Sequence, residues 1–269
     1  MALVETRHEQ QTAVIAYANP PLGTMTAAGA QEMFEAVSRA VDDAAVRCII
    51  LTGGLPDIFV RHYDVGELTV LGERLAEAAP APQAQPQASR PAGGFLGLTD
   101  LVATAPKPVI AAINGLCMGG GFELTLACDI RIAGRDVTAI GLPETRVGIF
   151  PGGGGTQRLP RVIGEAKAVE LILRGRVLAA EAALELGLVH ELADDPLARA
   201  LEIAAEFAGR PPEGVAYAKR LTRAALDRPL SEGLADERAS FVEVVRLPSA
   251  VAAMKESLAS APLGTREPS

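Results

Sequence analysis

Cysteine is scarce in this chain: Cys48, Cys117 and Cys128 are the three among 269 residues. They are too few and too scattered for a disulfide framework, and with no CxxC pair they suggest no metal site. Each lies in an apolar stretch and reads as a small core residue in a reducing, cytoplasmic compartment. Basic charge is also short. Lys and Arg number 25 against 33 Asp and Glu, a formal net charge of −8. That excludes a chain built to grip nucleic acid through its phosphates. An anionic ligand must then be held by local cations or backbone N–H groups. Long hydrophobic runs are missing too. No stretch reaches the ~20 apolar residues of a membrane span, and the opening MALVETRHEQ lacks the apolar region of a secretory leader. The reading is a soluble protein with no membrane partner.

Hydrophobic residues nonetheless make up 49% of the chain, enough for one large core or a core with an appendage. TAVIAYA at 12–18, RCIILTGG at 47–54, PKPVIAAING at 106–115 and DIRIAG at 129–134 read as short buried strands. Thr26 is placed to cap a helix whose apolar positions Met33, Val37, Ala40 and Val41 follow helical spacing. Helical stretches between the strands indicate an α/β chain. From Thr156 the pattern turns mostly helical, with LVHEL at 188–192 as one more brief strand. We place a core over 1–195 and a helical C-terminal region over 196–269. There Leu197, Leu201 and Ala204 form an apolar stripe that an appended region is not expected to bury alone. The Ala-, Pro- and Gln-rich stretch at 76–94 has almost nothing large to bury, so it reads as a mobile surface loop, with a lid as the functional alternative.

Two acidic residues stand out. Glu123 follows Gly119, Gly120 and Gly121 in INGLCMGGGFELTLACDI, between a strand and a helix start. Glycines let backbone approach a ligand closely, and a helix start offers unpaired N–H groups, an arrangement that holds an oxyanion. The Lys and Ser/Thr of a phosphate loop are absent. Glu144, in IGLPETRVGIFPGGGGTQRLP, likewise precedes a glycine cluster and a helix start. Two carboxylates near an oxyanion pocket suit acid–base work on a carbon next to a carbonyl. Taken alone, either glutamate also fits a helix-cap acid.

PKPVIAAINGLCMGGGFELTLACDIRIAG followed by IGLPETRVGIFPGGGGTQRLPRVIGEAKAVELILRGRVLAAEAALELGLVHEL resembles the crotonase family, in particular its enoyl-CoA hydratases, in register from about residue 12 to 192. The resemblance implies an α/β fold, a crotonase-like spiral of ββα units, with a C-terminal helical trimerisation region. It implies a homotrimer or a hexamer of paired trimers. The substrate it implies is an acyl-CoA thioester, and no cofactor is expected, because coenzyme A belongs to the substrate. Two backbone N–H groups would polarise the thioester carbonyl. One matches Gly120; the other, from the block FVRHYD at 59–64, corresponds to Tyr63. Glu123 and Glu144 match the two catalytic glutamates, which hold and activate the water that adds at Cβ. The match of Glu144 implies the proton donor to Cα, and that of Glu123 the group that positions the water.

Departures from the family pattern concern the coenzyme. Arg61, His62 and Tyr63 stand where the family has small residues, and Phe59 and Asp64 keep the frame. His62 is a candidate general base or a structural histidine; Arg61 either pairs with a CoA phosphate or faces solvent. The first loop, NPPLG at 19–23, carries no cation, and Lys255 is the remaining candidate in VAAMKESLAS. Arg61, His62, Asp64 and Lys255 are thus the candidate substrate or CoA contacts. The implied activity is hydration of a 2-enoyl-CoA. A Δ3,Δ2-enoyl-CoA isomerase, or another acyl-CoA reaction of the crotonase family, is the enzymatic alternative, and a degenerate acyl-CoA-binding scaffold the non-enzymatic one.

Overall fold

A computed structural model describes residues 2–78 and 93–260. Residues 79–92, which carry the expected Pro-rich loop, lie outside the described residues. The chain runs β1 (Val4–Glu9), β2 (Thr12–Tyr17), α1 (Ala27–Asp42), β3 (Cys48–Gly53), β4 (Ile58–Val60), α2 (Val65–Glu77) and α3 (Gly94–Thr104). Next come β5 (Val109–Ile113), β6 (Leu116–Met118), α4 (Gly120–Ala127), β7 (Ile130–Gly134) and β8 (Ile140–Gly141). A 3-10 turn over Glu144–Val147 precedes α5 (Gly155–Ile163), α6 (Glu165–Leu173), β9 (Val177–Leu178), α7 (Ala180–Leu186) and β10 (Glu191–Ala193). The helices α8 (Pro196–Ala208), α9 (Pro212–Ala224), α10 (Leu230–Val245) and α11 (Pro248–Ala259) complete the described residues.

The strands form two sheets. The larger is ordered β1-β2-β3-β5-β7-β10 and the smaller β4-β6-β8-β9. Within the larger, all pairs are parallel except β1 with β2. A parallel sheet is covered on both faces, and its strands are apolar throughout. The side chains divide with a period of two. Ala13, Ile15, Tyr17, Ile49, Leu51, Val109, Ala111 and Ile113 enter the main core with α1 and α3. Val14, Cys48, Ile50, Ile110, Ala112 and Ile132 face the other way, onto Ala200 and Ala204 of α8.

That second face corrects the expectation for the C-terminal stripe. Ala204 is fully buried, and Leu197 and Leu201 pack on the same cluster, so the chain's own sheet covers them. Parallel strands need a layer on each side, and α8 supplies it. The LVHEL strand also shifts: Leu188 closes the end of α7, and pairing with β7 begins at Glu191. Thr26 caps α1, its hydroxyl accepting the Gly29 N–H at 3.0 Å. The three cysteines are buried and unpaired. Burial pushes the Cys48 and Cys128 thiols up to about 12, which leaves them inert at neutral pH.

α4 is the element that positions the site. It is buried along its whole length. Gly121 is required there because a Cβ would stand 2.1 Å from the Val60 carbonyl oxygen. Its C-terminal end is held by cations. Arg223 of α9 donates to the Ala127 and Cys128 carbonyls at 2.9 Å, and buried Arg131 donates to those of Thr125 and Cys128. Positive charge at a helix C-terminus complements its dipole.

Candidate active site

At the other end of α4, Gly119 takes a positive φ of 50° before the first helical residue, Gly120. A side chain at Gly119 would strain this turn. It would also bring a Cβ to 3.2 Å from Glu144 Oε1. The helix therefore starts in contact with the second acidic residue, and its own acid, Glu123, lies on its first turn.

Glu123 is 4% exposed. Its Oε1 accepts the Gly153 N–H at 2.7 Å and the Gly155 N–H at 2.8 Å. The PGGGG run before α5 thus serves as a receptor for this carboxylate. Its glycines are needed because a Cβ at Gly153 would stand 2.7 Å from Glu123 Oε2, and one at Gly155 3.0 Å from Oε1. The carboxylate sits at the start of α5, where free N–H groups and the helix dipole favour negative charge. Burial still raises its pKa, while the two N–H bonds and the Arg158 charge act against that rise.

Glu144 has the opposite environment. Both of its carboxylate oxygens are buried and have no hydrogen-bond partner among the described residues. Its pKa is pushed up to about 7, chiefly by burial, with the Glu123 charge adding to the rise. A buried polar group without a partner is costly, so Glu144 is a group kept available. Two carboxylates 21 residues apart in sequence are brought to one site, one locked by backbone donors and the other unengaged.

The FVRHYD block comes to the same place. His62 and Asp64 bracket a bridge to Met25: the Met25 N–H donates to His62 O, and the Asp64 N–H to Met25 O, both at 2.8 Å. Between them, the Tyr63 N–H makes no hydrogen bond among the described residues, and neither does the Gly120 N–H. These two donors are neighbours: a Cβ on Gly120 would lie 3.4 Å from Tyr63 N. The two unengaged N–H groups thus lie side by side although Arg61, His62 and Tyr63 carry large side chains.

Other candidate residues divide. Arg61 is half-buried, and its Nε is buried without a partner among the described residues. His62 has Nδ1 2.8 Å from Tyr63 O, so this nitrogen donates and the ring is tied to the carbonyl of the next residue. Asp64 is engaged structurally. It caps α2 by accepting the Glu67 N–H, and its other oxygen accepts the Thr24 hydroxyl, both at 3.0 Å. These bonds hold its carboxyl below the usual range. Lys255 is an exposed residue of α11 with no hydrogen bond or ion pair among the described residues; nothing joins it to the glutamates. One site neighbour was not foreseen: Phe95, at the start of α3. Its ring meets Tyr63 edge to face, with centroids 5.5 Å apart. Nothing in its local sequence marks it, since its contacts are made across the fold.

Comparison with known proteins places the chain in a family. The family described as enoyl-CoA hydratase/isomerase matches residues 7–259. The chain is 40% identical over 203 residues to a putative enoyl-CoA hydratase/isomerase, YngF, of Bacillus subtilis, covering 74% of this chain and 73% of that one. It is 38% identical over 211 residues to a probable enoyl-CoA hydratase of the same organism, covering 77% of each. The crystal structure of an enoyl-CoA hydratase from Bacillus anthracis superposes with a TM-score of 0.83 at 29% identity, over 97% of this chain and 98% of that one. No helix among the described residues is long and apolar enough to cross a membrane. The chain belongs to the enoyl-CoA hydratase/isomerase family, the crotonases.

Proposed function

We propose that this chain adds water across the 2,3 double bond of a 2-enoyl-CoA thioester. The observation that carries this reading is Glu144: a buried carboxyl, unpartnered on both oxygens, beside the locked carboxylate of Glu123 and two free N–H groups. The thioester oxygen accepts from the Tyr63 and Gly120 N–H groups, which meet the negative charge that grows there during addition. A pKa of about 7 leaves a large share of Glu144 protonated at neutrality, so it can give its proton to Cα. Glu123, fixed by Gly153 and Gly155, orients the water whose oxygen bonds to Cβ. The water's surplus proton passes to the carboxylate pair, which returns to its starting charge. No electron leaves or enters, and the reaction draws on no cofactor beyond the coenzyme A of the substrate.

A Δ3,Δ2-isomerase reading is favoured by one feature, that Glu144 has both oxygens unengaged among the described residues while Glu123 is held through Oε1, since moving one proton between carbons needs one carboxylate. The receptor built around Glu123 argues for hydration, because a bystander acid would not require glycines at 153 and 155. The same receptor argues against a degenerate acyl-CoA-binding scaffold. For the coenzyme, Arg61 and His62 are the proposed local contacts; Lys255 would serve if the C-terminal helices of a neighbouring copy supply it. Exposed Leu226, Leu230, Phe241, Val242 and Leu258 on and beside α10 and α11 support a homotrimer or a hexamer. A reducing cytoplasm suits three unpaired, buried thiols.

The test is a spectrophotometric screen with 2-enoyl-CoA and 3-enoyl-CoA series, read at the conjugated thioester band. Loss of the band from 2-enoyl-CoA is expected. Its appearance from 3-enoyl-CoA, without loss from the 2-enoyl series, would transfer the assignment to isomerisation.

A further inference from the structure

Phe95 stands between the Gly120 backbone and the loop that receives Glu123. A Cβ on Gly120 would stand 3.3 Å from Phe95 Cζ, and a Cβ on Gly153 only 2.4 Å from Phe95 Cε1. The same point at Gly153 lies 2.7 Å from Glu123 Oε2. The ring therefore spans from the Gly120 backbone to the loop that locks Glu123, and its edge flanks that carboxylate. It is also braced. Tyr63 meets it edge to face at an interplanar angle of 73°, and both rings pack against the main core. A ring held by two backbone segments and a second aromatic cannot swing aside freely.

The path of a substrate follows from the donors. With the thioester oxygen on the Tyr63 and Gly120 N–H groups, Cα and Cβ have to reach Glu144 and Glu123. Carbons beyond Cβ then run past the Glu123 carboxylate, where the Phe95 edge stands. We propose that Phe95, braced by Tyr63, is a specificity-determining wedge that restricts the acyl group to short chains. This deepens the acyl-CoA reading above and rests on it. A pocket that fails to accommodate a methylene discriminates by roughly 10–200-fold, so selection against long chains should be steep.

The experiment measures dissociation constants of butyryl-CoA and decanoyl-CoA by calorimetry, for the wild type, Phe95→Ala and Phe95→Leu, alongside kcat/KM for the corresponding 2-enoyl thioesters. The saturated ligands report on the wedge even where no turnover occurs. The wild type should bind butyryl-CoA at least ~10-fold more tightly than decanoyl-CoA. Phe95→Ala should move this ratio at least ~10-fold toward the long chain, with Phe95→Leu between. A merely structural role for Phe95 would weaken both ligands alike and leave the ratio unchanged; that result overturns the wedge, as does a wild type that prefers decanoyl-CoA. If the binding ratio behaves as expected but no 2-enoyl-CoA is hydrated, the wedge stands and the hydratase reading falls.

Discussion

The Gly153 N–H donates to Glu123 Oε1 at 2.7 Å, joining residues 30 positions apart. With the matching bond from Gly155, it fixes one carboxylate oxygen while Glu144, beside it, keeps both oxygens unengaged. The difference between two identical side chains is thus set by backbone: one carboxylate accepts two N–H groups at the start of α5, and the other accepts none among the described residues.

Stability should carry the signature of Glu144. Its folded pKa, about 7, lies above the ordinary 4.5. Between those values the folded chain holds a proton that the unfolded chain has released. The corresponding stability is fully present below about pH 4.5 and is lost as pH rises through about 7. Glu144→Gln mimics the protonated form at every pH. Thermal melts should therefore show the variant gaining on the wild type between pH 5 and pH 8. A difference in Tm that is the same at both pH values contradicts this.

Catalysis should share that limb. A proton donor has to carry its proton, so kcat/KM should fall as pH rises above about 7, with the apparent value belonging to the coupled pair of acids. A pH–rate profile with no descending limb between pH 6 and 9 would argue against Glu144 as the donor.

Asp64 should act through structure, since its carboxylate caps α2 and anchors Thr24. Asp64→Ala should cost about 0.5–2 kcal/mol in urea unfolding, and Asp64→Asn should recover most of it, because Asn caps nearly as well. A loss of coenzyme affinity in Asp64→Asn, without loss of stability, would instead make it a ligand contact.

Two glycine substitutions should have opposite signs. At Gly121 a Cβ would collide with the Val60 carbonyl oxygen at 2.1 Å, so Gly121→Ala should displace α4 and destabilise by roughly 1–3 kcal/mol. Gly72 lies within α2 with no atom of the described residues near its absent Cβ, so Gly72→Ala should stabilise by about 0.5–1 kcal/mol. Chemical denaturation of both variants checks the pair.

Much of this was legible in the sequence because the information is local. β2, β3, β5 and β7 are apolar runs because both sheet faces are covered, and Thr26 announces its helix by its own side chain. Glu123 and Glu144 stand out as acids next to glycine clusters. β4, β6, β8 and β9 span two or three residues each, too few to show a period. β1 is polar because it is an edge strand with mostly exposed residues, so hydrophobic alternation cannot reveal it. The cover of the Leu197–Ala204 stripe and the placing of Phe95 depend on packing between distant segments, which spacing along the chain does not encode. The functions of Gly153 and Gly155 were hidden for the same reason: a glycine shows that backbone is exposed, not which carboxylate it receives.

The central claim is that Glu123 and Glu144 act together on one water. It is tested by steady-state hydration kinetics of Glu123→Gln, Glu144→Gln and the double variant with a short 2-enoyl-CoA. Glutamine at 123 can still accept from Gly153 and Gly155, so the fold should hold while the ionisable group is lost. Each single variant should lose roughly 10²–10⁴ in kcat. The double variant should lose much less than the product of the two, because residues that work as a unit are not additive. Affinity for the saturated acyl-CoA should change little, since the donors proposed for its oxygen are backbone N–H groups that neither substitution removes. Full hydration activity in either single variant would contradict the account.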